Sequence, residues 1–229
     1  MQQVRARSDL ADVAADHAVP VQKTGAERPV YAFAKRCLDI LFALSLLIAT
    51  APVWLIVAVV IRLTSPGPVL YRQVRVGKGG NLFNCYKFRT MRADADALLA
   101  QDPKLARAFE KSWKLEDDPR ITSVGRLLRR SSIDELPQIL NVLRGDMSMV
   151  GPRPVQSREL EEQFGSAADV VTSVKPGLTS LWSVSGRSLT SYDERIKLEL
   201  EYVRRRGFGF DLLVMLRTIP AVVTGRGAM

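Results

Sequence analysis

The sequence predicts a helix-rich α/β protein: one membrane-inserted helix, then a small water-soluble part with a short β-hairpin and helices. Three observations predict it. Residues 40–61 form a run of 22 without a charged side chain. Residues 69–76 alternate in polarity, a five-residue turn at 77–81 follows, and 82–88 read as a second strand, which together make a hairpin. Helical patterns then occupy most of the chain to residue 223, the last of them rich in apolar residues.

The elements follow in order. Residues 1–34 balance Arg5, Arg7, Lys23 and Arg28 against Asp9, Asp12, Asp16 and Glu27, with little periodicity. A tail over 1–30 is expected. All of the net +9 therefore lies beyond it. Lys35 and Arg36 introduce the apolar run, and 22 helical residues reach about 33 Å, the thickness of a hydrocarbon core. A signal peptide fits poorly, because the lead-in is long and the run continues past Ala49-Thr50-Ala51. The anchor is expected over 31–65, and the remaining 66–229 as a cytoplasmic domain.

Topology is a separate question. Lys35 and Arg36 flank the run on one side and Arg62 on the other. Arg62 opens a stretch, 62–92, with seven basic residues and no acidic one. Both flanks read as cytoplasmic by the positive-inside rule. Pro52 removes a helix hydrogen bond in mid-run. These features suit a helix that enters, breaks at Pro52 and returns. They also suit a kinked single span. The basic stretch suits anionic headgroups or phosphates. Nucleic acid is not expected, since stacking aromatics are not interleaved with the charges.

In the soluble part, helices are expected over 93–114, 122–130, 133–143, 156–164, 191–205 and 208–223. The last could lie in the membrane interface. The glycines at 77–80 do not make a phosphate-binding Walker loop, because the Gly-Lys-Ser/Thr ending is missing.

Composition excludes much chemistry. The one histidine, His17, lies in the tail, so a Ser-His-Asp triad, a Cys-His pair and a histidine zinc site are ruled out. Cys37 and Cys85 are far apart and form no CxxC pair. What remains is carboxylates, hydroxyls, Lys and Arg, or a hard metal on oxygen. Ser132 and Glu135 have capping-box spacing, which gives the acids at 134–135 a purely structural explanation. Against it, six arginines crowd residues 120–153 with only Asp134, Glu135 and Asp146. Guanidinium forks match phosphate oxygens, and carboxylates among them stay ionised, able to hold Mg²⁺ or to attack phosphorus.

Several segments resemble the bacterial sugar transferase family, the monotopic phosphoglycosyl transferases. They are Lys87-Phe88-Arg89-Thr90-Met91, Asp117-Asp118-Pro119-Arg120-Ile121-Thr122, Asp134-Glu135-Leu136-Pro137-Gln138, Asn141 to Ser148, and Val150-Gly151-Pro152-Arg153-Pro154. Lys175-Pro176-Gly177-Leu178-Thr179, Gly186-Arg187 and Tyr202-Val203 continue the likeness. The length is that of the short, exopolysaccharide-type members. The resemblance implies transfer of a sugar-1-phosphate, of galactose or glucose type, from a UDP-sugar to undecaprenyl phosphate with release of UMP. This would be the first membrane step of glycoconjugate synthesis, at the cytoplasmic leaflet of the inner membrane. It implies Asp134 as nucleophile and Glu135 as ligand of Mg²⁺. It also implies substrate-binding positions at Lys87, Arg89, Arg120, Asn141, Asp146, Arg153 and Arg187. It favours re-entry at Pro52, although relatives often place serine where Ala51 stands here. A non-catalytic scaffold for anionic lipid is the alternative from another class, and a lipid phosphatase a third.

Overall fold

The computed structural model describes residues 29–102, 107, 118–225 and 227. Most of the expected tail, and the later part of the helix expected over 93–114, lie outside the described residues.

Helix α1 (Pro29–Thr64) runs 36 residues, about 54 Å of helical rise. Proline at its first position costs no hydrogen bond. Only 11 % of its most apolar stretch is buried against the protein, so it is not the core helix of a soluble fold. Ile48, Leu55, Ile56 and Leu63 stand out as exposed. Among the described residues it is the one helix long and apolar enough to cross a membrane. Pro52 lies inside it. Thr50 Oγ1 donates to Leu46 O at 2.7 Å, a back-bond of the kind that accompanies helix bending.

Both halves of α1 dock on the folded domain. In the first half, Asp39 and Ala43 are buried. Asp39 Oδ1 accepts from Ser148 Oγ and Met149 N, each at 3.0 Å. In the second half, Val57 and Ile61 pack with Phe88 and Leu128. Trp54 meets Phe88 edge to face, 5.3 Å between centroids.

Strands β1 (Leu70–Val76) and β2 (Leu82–Phe88) pair antiparallel, with Tyr71 opposite Lys87 and Gln73 opposite Cys85. The hairpin read from the alternation is present. Helix α2 (Ala95–Gln101) follows, then α3 (Ser123–Arg130), capped by Thr122 Oγ1 accepting from Gly125 N at 2.9 Å.

The helix expected over 133–143 is divided. Ile133–Glu135 form one 3₁₀ turn, and α4 (Gln138–Arg144) begins only after Pro137. Ser132 in the left-handed region (φ 57°) sets the turn off from α3. Helix α4 closes on Gly145 at φ 94°, a conformation glycine adopts without strain.

Two three-residue strands, β3 (Ser148–Val150) and β4 (Gly177–Thr179), pair in parallel and were not anticipated. Their junction explains Gly177: a Cβ there would sit 2.1 Å from Gly151 N. Short helices α5 (Ser157–Glu159), α6 (Ala168–Thr172) and α7 (Leu181–Val184) lead to α8 (Tyr192–Arg205). Ser191 and Glu194 form a genuine capping box at its start.

Helix α9 (Phe208–Thr224) buries Asp211 and Val214 and leaves Leu212, Leu216, Ile219 and Val223 exposed. Lys35 Nζ donates to Asp211 Oδ2 at 2.7 Å, tying α9 to α1. The main core gathers Ala43, Cys85, Ile139, Val142, Met147, Val150, Tyr202 and Val214, so α1, the hairpin, α4, β3, α8 and α9 share it.

Candidate active site

Ser132 begins the site. Its left-handed backbone turns the chain so that Asp134 and Glu135 follow in a single 3₁₀ turn. The expected capping box is not made there: the Ser132 hydroxyl has no cap bond, and its oxygen accepts from Arg187 Nη1 at 3.0 Å. Arg187 is itself at φ 53° and also donates to Ser183 O at 3.1 Å. Two non-glycine residues in a disfavoured backbone region thus meet beside the acidic pair, where such strain often marks function.

Glu135 is gripped from two sides. Lys87, near the end of β2, donates to Oε1 at 2.8 Å. Arg153 makes a two-pronged contact, Nη2 to Oε1 at 2.7 Å and Nη1 to Oε2 at 3.2 Å. Burial alone would raise the Glu135 pKa, but Arg153 and Lys87 outweigh it and hold the carboxyl well below its usual range. Asp134 is buried and makes the opposite response. Burial first, and the neighbouring Glu135 charge second, push it up to about 6, against the pull of Lys87, Arg129 and Arg153. Adjacent carboxyls with pKa values driven apart are suited to different tasks.

Arg153 is positioned in turn. Its backbone N donates to Glu199 Oε1 at 3.1 Å, and its guanidinium lies 5.5 Å from the Trp182 ring centre. Glu199 is fully buried on α8, and that burial raises it to about 7.

The expected site residues therefore divide. Asp134, Glu135, Lys87 and Arg153 are in one cluster, with Arg187 linked through Ser132. The other four make framework contacts. Arg89 donates to Ser65 O and Pro66 O, both at 2.7 Å, pinning the chain that leaves α1. Arg120 folds back on Asp118 in a buried two-pronged pair, 2.9 and 2.7 Å. Asn141 joins α4 to β2, accepting from Tyr86 N at 3.0 Å and donating to Asn84 O at 2.7 Å. It also donates to Asp146 at 3.1 Å. Of the anchor positions, Arg36 caps α4 by donating to Val142 O and Leu143 O at 2.5 and 2.7 Å. Arg62 donates to Gly67 O at 2.9 Å.

Arg129 and Arg75, expected only as members of the arginine cluster and the basic stretch, have individual places at the site. Arg129 Nε donates to Thr90 Oγ1 at 2.9 Å, and its charge acts on Asp134. Arg75 sits 3.6 Å from Glu159 and within the field of Arg153 and Glu135. The hairpin alternation carried that signal, because Tyr71, opposite Lys87, puts Arg75 on the same sheet face.

A divalent cation is the cofactor to test. Among the described residues no group of three or more Asp, Glu, His or Cys converges. Within the cluster Asp134 and Glu135 offer hard carboxylate oxygens, those of Glu135 already accepting from Lys87 and Arg153. That donor set fits Mg²⁺ in its usual mode with phosphates, one or two carboxylates plus substrate oxygens and water.

The comparisons with known proteins identify the family. The family model described as Bacterial sugar transferase matches residues 30–225. The chain is 44 % identical over 211 residues to "Exopolysaccharide production protein ExoY" of Sinorhizobium fredii, covering 90 % of this chain and 93 % of that protein. It is 43 % identical over 201 residues to "Undecaprenyl-phosphate galactose phosphotransferase" of Salmonella typhimurium, covering 86 % of this chain but 42 % of that longer protein. It is 40 % identical over 197 residues to "UDP-glucose:undecaprenyl-phosphate glucose-1-phosphate transferase" of Caulobacter vibrioides, covering 83 % and 70 %. A long exposed apolar helix, an acidic pair with Glu135 clamped by Lys87 and Arg153, and above all a family match across nearly the whole described chain lead to one conclusion: the protein belongs to the bacterial sugar transferase family and is an enzyme of its phosphoglycosyl transferase type.

Proposed function

We propose that this enzyme transfers a sugar-1-phosphate from a UDP-sugar to undecaprenyl phosphate through a covalent intermediate on Asp134. The observation that carries the proposal is the divergent pair: Glu135 locked ionised by Lys87 and Arg153, beside a buried Asp134 without such a clamp. Two relatives are named for transfer to undecaprenyl phosphate, one of galactose and one of glucose, which supports the acceptor and a hexose donor.

In the first step an Asp134 carboxylate oxygen attacks the β-phosphorus of the UDP-sugar. The bond from that phosphorus to the oxygen bridging the two phosphates breaks, and its electron pair leaves with UMP. In the second step a phosphate oxygen of undecaprenyl phosphate attacks the same phosphorus. The bond to Asp134 breaks, returning the free carboxylate and giving the lipid diphosphate sugar. Arg153, Lys87 and Arg129 lower the cost of bringing an anionic diphosphate to two carboxylates. Glu135, with oxygens of the substrate, would hold Mg²⁺, which supplies charge neutralisation of the diphosphate.

The anchor completes the reading. Helix α1 inserts from the cytoplasmic face of the inner membrane and re-enters, bending near Pro52 without interruption of the helix, with Lys35, Arg36 and Arg62 at the two roots. One substrate is soluble and the other lipid-borne, so a shallow anchor keeps the cluster at the headgroup plane. The exposed apolar residues of α9 suit contact with the same membrane surface.

The test uses purified protein, Mg²⁺, undecaprenyl phosphate and a panel of UDP-sugars, read by UMP release. UDP-galactose or UDP-glucose is expected to turn over, and Asp134→Asn to lose at least about 10³-fold. Undiminished turnover by that variant overturns the assignment.

A further inference from the structure

We propose a second anion site at the root of α1, separate from the carboxylate cluster, that takes the phosphate headgroup of an anionic phospholipid. It rests on the reading of α1 as membrane-inserted. A cavity of about 210 Å³ opens between the start of α1 and the domain. That far exceeds the roughly 15 Å³ that a single water requires. Five cations line it, Lys35, Arg36, Lys78, Lys175 and Arg206, against one carboxylate, Asp39. It shares no lining residue with Asp134, Glu135, Lys87 and Arg153.

Three observations mark it as built for an anion. Arg206 Nη1 is buried without a hydrogen-bond partner, a costly state for a guanidinium. Arg36 and Lys175, from different parts of the chain, both line the cavity and both lie near Gly145, 3.5 and 3.6 Å from the point its Cβ would occupy, with Arg36 also donating to Val142 O and Leu143 O. The one lining carboxylate, Asp39, already accepts from Ser148 and Met149, while Lys35, 3.6 Å from it, is paired with Asp211 at 2.7 Å. A phosphate in the cavity would give Arg206 Nη1 an acceptor.

Position selects a lipid. The lining includes Asp39, and the next residue, Ile40, begins the uncharged run. Phe208 on α9 stands exposed with its ring 5.1 Å from that of the lining residue Tyr31, an apolar surface for acyl chains. Basic pockets at the cytoplasmic boundary of membrane helices take anionic headgroups in this way.

The full-length protein in neutral detergent tests this by thermal shift. The probes are short-chain phosphatidylglycerol, short-chain phosphatidylcholine and inorganic phosphate. Phosphatidylglycerol is expected to raise the melting temperature and phosphatidylcholine not to. Arg206→Gln, and separately Lys78→Gln at an exposed position, are each expected to weaken the phosphatidylglycerol effect roughly fivefold to tenfold. Equal shifts in wild type and Lys78→Gln, or a shift with inorganic phosphate and none with phosphatidylglycerol, overturn the lipid site. Flotation on pure phosphatidylcholine vesicles reports on α1 alone. Its loss overturns the membrane reading as well, whereas retained flotation with no lipid preference overturns only this site.

Discussion

Asp134 is costly to the fold and useful to the reaction. Its folded pKa, about 6, lies above the ordinary carboxylate value. The protonated form is therefore favoured by folding, and stability is lost as pH rises through about 6. Asp134→Asn is expected to raise thermal stability at pH 8, by about 1–3 kcal/mol, with the gain vanishing near pH 4. A differential scan of both proteins at the two pH values checks this. The same ionisation should appear in catalysis. Since the attacking form is the carboxylate, kcat/KM is expected to fall about tenfold per pH unit below about 6. Glu135 has the reverse sign: its pKa is depressed, so its contribution is full at neutral pH and is lost progressively as pH falls below the ordinary glutamate value. The acidic pair and its arginines were legible in the sequence because opposite charges crowd one segment. The backbone at Ser132 was not, because Ser-x-x-Glu spacing reads equally as a cap, and only the left-handed turn shows that the hydroxyl serves Arg187 instead.

Elements with long-period patterns were easiest to read. Helices α1, α8 and α9 and the hairpin are at their expected places, because each carries a run of apolar residues or an alternation. Strands β3 and β4 were missed because three residues cannot display a period. Their marker is instead steric: Gly151 and Gly177 let two backbones approach where no Cβ fits. Gly177→Ala is expected to destabilise by about 2–3 kcal/mol or more, measured by chemical unfolding in detergent. Asn141 and Asp146, read from resemblance as substrate-binding, bridge α4 to β2 and to the loop before β3. Asn141→Ala is expected to cost stability along with activity, whereas Lys87→Ala is expected to cost activity, about 10²-fold, with little loss of stability. Melting temperatures set beside turnover separate the two.

On the scale of the whole molecule, the mean hydropathy of +0.01 is an average over two unlike parts. One is an exposed apolar helix, and the other a cationic domain carrying +7 of the net +9. Re-entry places both roots of α1 in the cytoplasm. With Cys37 and Cys85 replaced, Val19→Cys is therefore expected to resist an impermeant thiol reagent in intact spheroplasts and to label once they are opened. Labelling in intact spheroplasts would establish a single span. The central claim is the covalent step on Asp134, and withholding the lipid acceptor tests it most directly. Enzyme mixed with Mg²⁺ and its UDP-sugar alone is expected to release a burst of UMP no larger than the enzyme concentration and to gain the mass of one sugar phosphate, mapped to the peptide holding Asp134. An enzyme that turns over with acceptor present, yet shows neither burst nor adduct without it, would contradict the account.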